Sequence, residues 1–154
     1  MKKLLFILAV VALAVSVNSC EELPCPYNDG AGVNALFFEL DGVTEITIDS
    51  FAVTLLNNPN DPYTEDYTFG VKSIRFPLSI IDDSSSVIIT FKDMVADTLV
   101  FYYSQEVKLI NHQCGFDTFF TISEVSTTTN RINSVWVSKE LVEYGNRENI
   151  KIYF

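Results

Sequence analysis

The chain has 154 residues, 48% of them hydrophobic and 13% aromatic, which excludes disorder over most of its length. It carries 20 acidic and 10 basic residues, a net charge of −10. This balance argues against nucleic-acid binding, in which Lys and Arg must neutralise phosphates, and against charge-driven attachment to an anionic membrane. Most of the acidic side chains are expected to form a solvated surface.

Residues 1–19 have the layout of a secretory signal peptide. Lys2 and Lys3 form a short basic region, and an apolar run over residues 4–15 follows. About a dozen apolar residues are too few for a membrane-spanning helix, which needs about 20. Removal of this leader leaves 8 basic residues against 20 acidic ones, a net charge near −12. The remaining 135 residues have the size of one domain.

The leader ends in Val-Asn-Ser-Cys, residues 17–20, which resembles a bacterial lipobox. In such signals the peptide is cut before the cysteine, which then carries the lipid. The resemblance implies that Cys20 anchors the protein to the outer membrane through several acyl chains, since one chain alone binds marginally. Glu21 and Glu22 resemble the signals that place lipoproteins on the cell surface; an ordinary acidic tether over residues 20–32, facing the periplasm, is the alternative.

Alternation of apolar and polar residues predicts β-strands through most of the remaining chain, and no segment shows a helical stripe. Asp41-Gly42 predicts a hairpin turn. Residues 57–70 predict a long loop, and residues 138–146 a short turn or helix. The long segment 106–125 is either one bent strand or two strands that meet near Gly115. The other predicted strands are 33–40, 43–49, 50–56, 71–78, 87–92, 97–104, 132–138 and 149–154.

Many short strands with turn signals at regular spacing predict an all-β fold over residues 33–154. We expect an antiparallel β-sandwich of immunoglobulin-like architecture, with a small closed barrel as the alternative. Pro77 cannot donate a hydrogen bond to a neighbouring strand, which predicts an edge strand or a bulge there.

Several segments resemble a family of small lipoproteins from Bacteroidetes, domain of unknown function 6452. The similar segments are "SIRFPL" (73–78), "DTLVFYYSQEVKLINHQCGF" (97–116), "TTTNRINSVWV" (127–137) and "NIKIYF" (149–154). The resemblance covers residues 73–154 and the pair of cysteines near the start of the chain. It implies a lipid-anchored envelope protein, and it brings no known reaction or ligand.

Three cysteines are present, and the lipobox resemblance assigns Cys20 to the lipid. Cys25 and Cys114 are then the two thiols left in an oxidising compartment, which favours a disulfide. Such a bond would close a loop of about 90 residues and stabilise the fold by about 4–5 kcal/mol in the chain-entropy model. We expect Gly115 to permit close approach of the crossing tether. The alternative is that both cysteines are free.

Catalytic and metal-binding patterns are weak. His112 is the only histidine, so a Ser-His-Asp triad could be built only through it, and no nucleophile-elbow glycine pattern surrounds any serine. Oxygen-rich segments at 57–62 and 82–86 lack the spacing of an EF-hand loop and are explained by turn chemistry. We therefore expect no catalytic residue, no metal site and no cofactor.

Aromatic residues in loops offer the better binding hypothesis. Tyr63 and Tyr67 lie in the long predicted loop and Tyr27 in the tether, where their rings could stack on a sugar. Trp136, the only tryptophan, could join them or pack in the core. The sequence predicts a lipid-anchored, non-catalytic envelope protein with a structural or protein-binding role. A carbohydrate- or ligand-binding surface module that uses Tyr63 and Tyr67 is the alternative.

Overall fold

A computed structural model of the chain describes Cys25 and residues 32–56, 70–92, 95–143 and 148–154. Cys20, the signal peptide and the tyrosines Tyr27, Tyr63 and Tyr67 lie outside these residues. The described part of the chain contains no helix. Its nine strands are β1 (Gly32–Phe38), β2 (Phe51–Leu55), β3 (Ser73–Pro77), β4 (Ser84–Phe91), β5 (Asp97–Asn111), β6 (Gly115–Thr127), β7 (Ser134–Val137), β8 (Leu141–Val142) and β9 (Ile150–Tyr153).

The strands form two sheets, which confirms the all-β fold and is consistent with a sandwich. The four-stranded sheet has the order β3-β1-β9-β7, and the five-stranded sheet the order β2-β4-β5-β6-β8. Neighbouring strands are antiparallel, with the exception of β1 and β9, which are parallel. Pro77 lies in β3 at an edge, as predicted, where its missing N–H leaves no gap in a ladder.

The core is built from the alternating inward side chains of both sheets. Val33, Ala35 and Phe37 of β1 are buried, and Phe101 of β5 lies on the opposing inner face. Aromatic rings fill much of the space at the end of β1: Phe154 contacts Phe37 at 5.7 Å and Phe91 at 5.9 Å between ring centroids, both edge to face. A buried Phe side chain contributes about 1.5–3 kcal/mol relative to an exposed one, so these rings dominate the stability of that end.

The predicted strand at 43–49 is wrong, although the turn before it is present. The Asp41 carboxylate accepts hydrogen bonds from the Val43 and Thr44 backbone N–H groups and from the Thr44 hydroxyl. These bonds hold Val43 and Thr44 in the turn; the Ile46 N–H group then donates to the Phe37 carbonyl oxygen, and only the isolated bridges Phe38–Glu45 and Ile48–Val71 follow.

A second correction concerns residues 138–146, where a turn or helix was predicted. Leu141 and Val142 form β8 and pair with Thr121 and Phe120 of β6. Val142 is completely buried, so the core contact of one side chain holds this short strand in the sheet.

Candidate functional site

The longest feature of the fold is a hairpin that continues past the rest of the five-stranded sheet. β4 pairs with β5 as far as Tyr102, and β8 pairs with β6 at Phe120 and Thr121. Residues 106–119, which we call the arm, therefore pair only with each other among the described strands. Six residues of β5 lie in the arm, a length of about 20 Å at the rise of a β-strand. The sequence analysis allowed two strands meeting near Gly115 and ended the preceding strand at residue 104; β5 instead runs without a break to Asn111.

A side-chain-capped turn forms the tip of the arm. The Asn111 Oδ1 atom accepts hydrogen bonds from the backbone N–H groups of Gln113 at 2.8 Å and Cys114 at 2.7 Å. Gly115 follows with φ of +72°, which L-residues with a side chain rarely adopt. A Cβ atom at Gly115 would meet no atom of the described residues within 4 Å, and the tether that was expected to approach it lies outside those residues apart from Cys25 and Gly32. Its role is the backbone conformation of the turn.

Cys25 and Cys114 form a disulfide, as predicted, with Cα atoms 5.5 Å apart and a sequence separation of 89. Cys114 lies at the tip of the arm, so the chain five residues after Cys20 is joined to the end of the arm. The covalent link therefore connects the proposed anchoring segment to the most protruding hairpin of the described structure.

One face of the arm is apolar and exposed. Leu109 pairs with Phe116, and their side chains continue the face on which Tyr103 and Phe120 are buried farther along the hairpin. The exposed fractions are 52% for Leu109, 72% for Phe116 and 64% for Val107 on the same face. The inner surface of the five-stranded sheet thus continues along the arm, where the other described strands no longer cover it.

The opposite face of the arm is polar. Lys108 Nζ lies 3.0 Å from Glu106 Oε2 and 5.3 Å from the ring centroid of Phe119, and Lys108 pairs across the hairpin with Asp117. These exposed contacts contribute little to stability. The charged side chains of the arm therefore lie on the face opposite to Val107, Leu109 and Phe116, and the Phe119 ring lies among them.

A buried carboxylate organises the loop before β7. Asp97 accepts four hydrogen bonds of 2.7–2.9 Å, from the Thr128 hydroxyl and from the backbone N–H groups of Asn130, Arg131 and Ile132. Burial acts to raise the pKa of Asp97, but the hydrogen bonds from Ile132, Asn130, Arg131 and Thr128 outweigh it and hold the pKa below its ordinary value. The charge is therefore satisfied by the fold, and Asp97 is not poised as a general acid or base.

Two other buried polar groups have structural partners as well. The Asn149 Nδ2 group donates to the carbonyl oxygens of Leu141 and Lys139, while its Oδ1 accepts from the Asn34 backbone N–H. Asn149 thereby joins β1 to the segment that contains β8. Tyr103 donates its hydroxyl to the Ser79 carbonyl oxygen, and burial raises the pKa of this hydroxyl.

The described residues contain no group of three or more His, Cys, Asp or Glu side chains that could hold a metal ion. His112 lies in the exposed turn at the tip of the arm rather than within a strand. Over the same ranges of the chain, no helix is long and apolar enough to cross a membrane.

Trp136 does not pack in the core. Its neighbours Val135 and Val137 pack toward the core, so Trp136 points from the outer face of the four-stranded sheet and is 65% exposed. It pairs across the strands with Lys151, whose Nζ atom lies 4.7 Å from the ring centroid of Phe38. Tyr63 and Tyr67, the predicted binding residues, lie outside the described residues, so they cannot be placed relative to Trp136.

The model of a family of unknown function, DUF6452, matches residues 37–154. The chain belongs to this family. The match to DUF6452 begins in β1, so it extends farther toward the N-terminus than residues 73–154, where the sequence resemblance was recognised. Comparison with curated proteins and with solved structures found no match for the chain.

The structure gives physical reasons for three segments by which the DUF6452 resemblance was recognised. Asp97 begins the "DTL" segment and holds the loop that contains Asn130. Cys114 and Gly115 in "CGF" provide the disulfide and the positive φ of the turn. Asn149 begins the terminal segment and joins three parts of the fold.

The apolar face of the arm was missed by the sequence analysis, although a signal was present. Residues 109–116 contain no Asp, Glu, Lys or Arg, in a chain of 154 residues with 30 such side chains. This run places the apolar Leu109 and Phe116 on either side of the polar turn residues Asn111, His112 and Gln113.

Proposed function

We propose that this DUF6452 protein is a lipid-anchored, non-catalytic protein of the cell envelope with a structural or protein-binding role. Its lipid is attached to Cys20, after removal of residues 1–19, and it resides at the outer membrane of a Bacteroidetes-type cell, facing the periplasm or the cell surface. The immunoglobulin-like relationship of its sandwich remains a prediction.

The disulfide between Cys25 and Cys114 carries this proposal. Disulfides form and persist in oxidising compartments such as the periplasm and the cell surface. This one uses the cysteine five residues after the lipobox and spans 89 residues of sequence. The bond thus supports an exported protein in which Cys20 is left for the lipid.

The proposal of a non-catalytic protein is supported by how the buried polar groups are used. Ser85, Asp97 and Asn149 are the buried polar or charged residues of the described part of the chain, and each takes part in hydrogen bonds that hold the fold. A strongly perturbed acid or base that faces a cleft would favour catalysis, and the described residues contain no such group.

Fractionation of the native envelope tests the anchor. Wild-type protein is expected in the membrane fraction, whereas Cys20→Ala should yield soluble protein or an unprocessed precursor. Cys25→Ala is the matched control, since it removes a cysteine five residues away and the disulfide but leaves the lipobox cysteine. Equal membrane association of the Cys20→Ala variant and the wild type, with the leader removed from both, would contradict the proposal.

A carbohydrate- or ligand-binding surface module is the alternative function, and the exposed ring of Trp136 favours it. Sugars stack on exposed aromatic rings, and Lys151, the cross-strand partner of Trp136, can donate hydrogen bonds to hydroxyl groups. Glycan binding by the wild type that is lost in Trp136→Ala, with stability unchanged, would support this alternative. Tyr63→Ala and Tyr67→Ala test the predicted loop tyrosines in the same assay. Binding that persists in all three variants would exclude these aromatic residues as the glycan site.

A further inference from the structure

We infer that the apolar face of the arm, formed by Val107, Leu109 and Phe116, inserts into the interfacial region of the membrane that holds the lipid anchor. This inference rests on the proposed acylation of Cys20. It adds a second, protein-borne membrane contact, made by a folded hairpin rather than by the lipid.

The position of the tip relative to the anchor is the first argument. Cys25 lies five positions after Cys20, and a fully extended chain covers at most about 18 Å over that distance. Cys25 is bonded to Cys114, with 5.5 Å between their Cα atoms. A lipid-bearing Cys20 therefore keeps the tip of the arm within about 25 Å of the membrane interface, a limit set by the reach of an extended chain.

The chemistry of the tip is the second argument. Phe116 is 72% exposed, and its cross-strand neighbour Leu109 is 52% exposed, so the two form one apolar surface rather than scattered residues. Between residues 109 and 116 the only titratable side chain is His112, apart from the disulfide-bonded Cys114. A surface with Phe and Leu and without carboxylates enters the interface between headgroups and acyl chains at low cost.

The charge distribution of the chain determines which type of membrane surface the arm is expected to enter. Glu21 and Glu22 lie between the anchor and the disulfide, and the mature chain is strongly acidic. Anionic headgroups would repel these residues, so the contact must depend on apolar burial. Vesicles of zwitterionic phosphatidylcholine are therefore the appropriate probe.

Tryptophan fluorescence of the full-length protein tests the inference. Trp136 is the only tryptophan, so Trp136→Phe provides a background without tryptophan emission. Phe116→Trp reports on the arm. Val43→Trp is the matched control, because Val43 is an 82% exposed apolar residue in the turn after β1. That turn is distant from the tip. Phe37 near the end of β1 and Phe91 at the end of β4 both contact the Phe154 ring, so the turn after β1 lies at the end of the domain away from the arm.

Protein extracted from the native envelope is reconstituted into phosphatidylcholine vesicles with and without brominated acyl chains, and its N-terminal peptide is analysed by mass spectrometry. We expect the Phe116→Trp reporter to show a blue shift in vesicles and loss of fluorescence on brominated lipid, and the Val43→Trp reporter to show neither. Adding Cys25→Ala should reduce the quenching of the Phe116→Trp reporter, because the arm is then no longer tied to the anchor.

Three results would overturn the inference, and they are distinguishable from failure of the proposed function. Acylated Cys20 together with equal, weak quenching of both reporters would contradict arm insertion while the anchor stands. A blue shift that occurs without vesicles and grows with protein concentration would assign the face to a second copy of the chain. Unmodified Cys20 would contradict the proposed function, and it would contradict the inference as well because the inference rests on acylation of Cys20.

Discussion

Cys25 and Cys114 are separated by 89 residues, yet their Cα atoms lie 5.5 Å apart because the β5–β6 hairpin carries Cys114 to its tip. The disulfide therefore ties the start of the folded chain to a part of the sheet that other described strands do not support. It has two separable effects: it restricts the unfolded chain, and it fixes the segment after Cys20 relative to the arm.

Removal of either cysteine should destabilise the protein to the same degree. We expect Cys114→Ala to lower the free energy of unfolding by about 2–4 kcal/mol, because the unfolded chain regains the entropy that the closed loop removed. Cys25→Ala should have an equal effect, and the double variant should be no less stable than the single ones, because one bond is broken in all three. Denaturant unfolding without reductant measures this. Additive losses in the double variant would show that the cysteines act independently.

Asp97 is expected to be essential for the stability of the loop before β7. Asp97→Ala leaves the backbone N–H groups of Asn130, Arg131 and Ile132 without an acceptor and should cost about 3–5 kcal/mol. Asp97→Asn should be almost as unfavourable, because each carboxylate oxygen accepts two hydrogen bonds and an amide nitrogen would face two donors. Thermal unfolding checks this, with Asp83→Asn at an exposed position as a control. An Asp97→Asn variant as stable as wild type would contradict the assigned hydrogen bonds.

The same carboxylate predicts a loss of stability in acid. The pKa of Asp97 is lower in the folded protein than in the unfolded chain, where it is near its ordinary value of about 3.9. Its contribution is therefore fully present above that pH, and it is lost as the pH falls from there through the folded pKa.

A carbon-detected NMR titration of the side-chain carboxyl groups measures the Asp97 pKa directly. Thr128→Ala removes one of the four donors, so it should raise the Asp97 pKa relative to wild type. An Asp97 pKa at or above the ordinary value in the wild-type protein would show that burial outweighs the hydrogen bonds.

Gly115 should be required for its backbone conformation and not for space. Because φ is +72° and a Cβ atom would meet no atom of the described residues within 4 Å, Gly115→Ala is expected to cost about 1–2 kcal/mol, the strain of a left-handed L-residue. Gly115→Asn should cost less, since asparagine adopts this conformation more readily, although its side chain is larger. Stabilities from denaturant unfolding decide between the two roles. An asparagine variant less stable than the alanine variant would favour a steric role.

The strand pattern could be predicted from sequence because the inner face of each sheet is shielded from water and is therefore lined by apolar side chains. Along β5 the buried residues Leu99, Phe101 and Tyr103 alternate with more exposed neighbours, and that period-2 signal is local. The disulfide could be predicted for a different reason, since assigning Cys20 to the lipid left one pair of cysteines. Neither the strand prediction nor the disulfide prediction said where the strands and the disulfide meet in the fold.

The errors came from interactions that alternation does not report. The 43–49 segment has an alternating pattern, but the Asp41 carboxylate holds Val43 and Thr44 in the turn, and only isolated bridges follow. Val142 holds a two-residue strand through one buried side chain, which is too short to give a pattern. The exposure of Trp136 and of Phe116 depends on whether another sheet packs against the face that carries each side chain. The topology of the whole domain determines this packing.

The most direct measurement is mass spectrometry of the non-reduced protein extracted from its native envelope and digested with protease. The account predicts one disulfide-linked species that joins an N-terminal peptide, beginning with acylated Cys20 and containing Cys25, to the peptide that contains Cys114. An N-terminal peptide with unmodified Cys20, or with Cys25 as a free thiol, would contradict it.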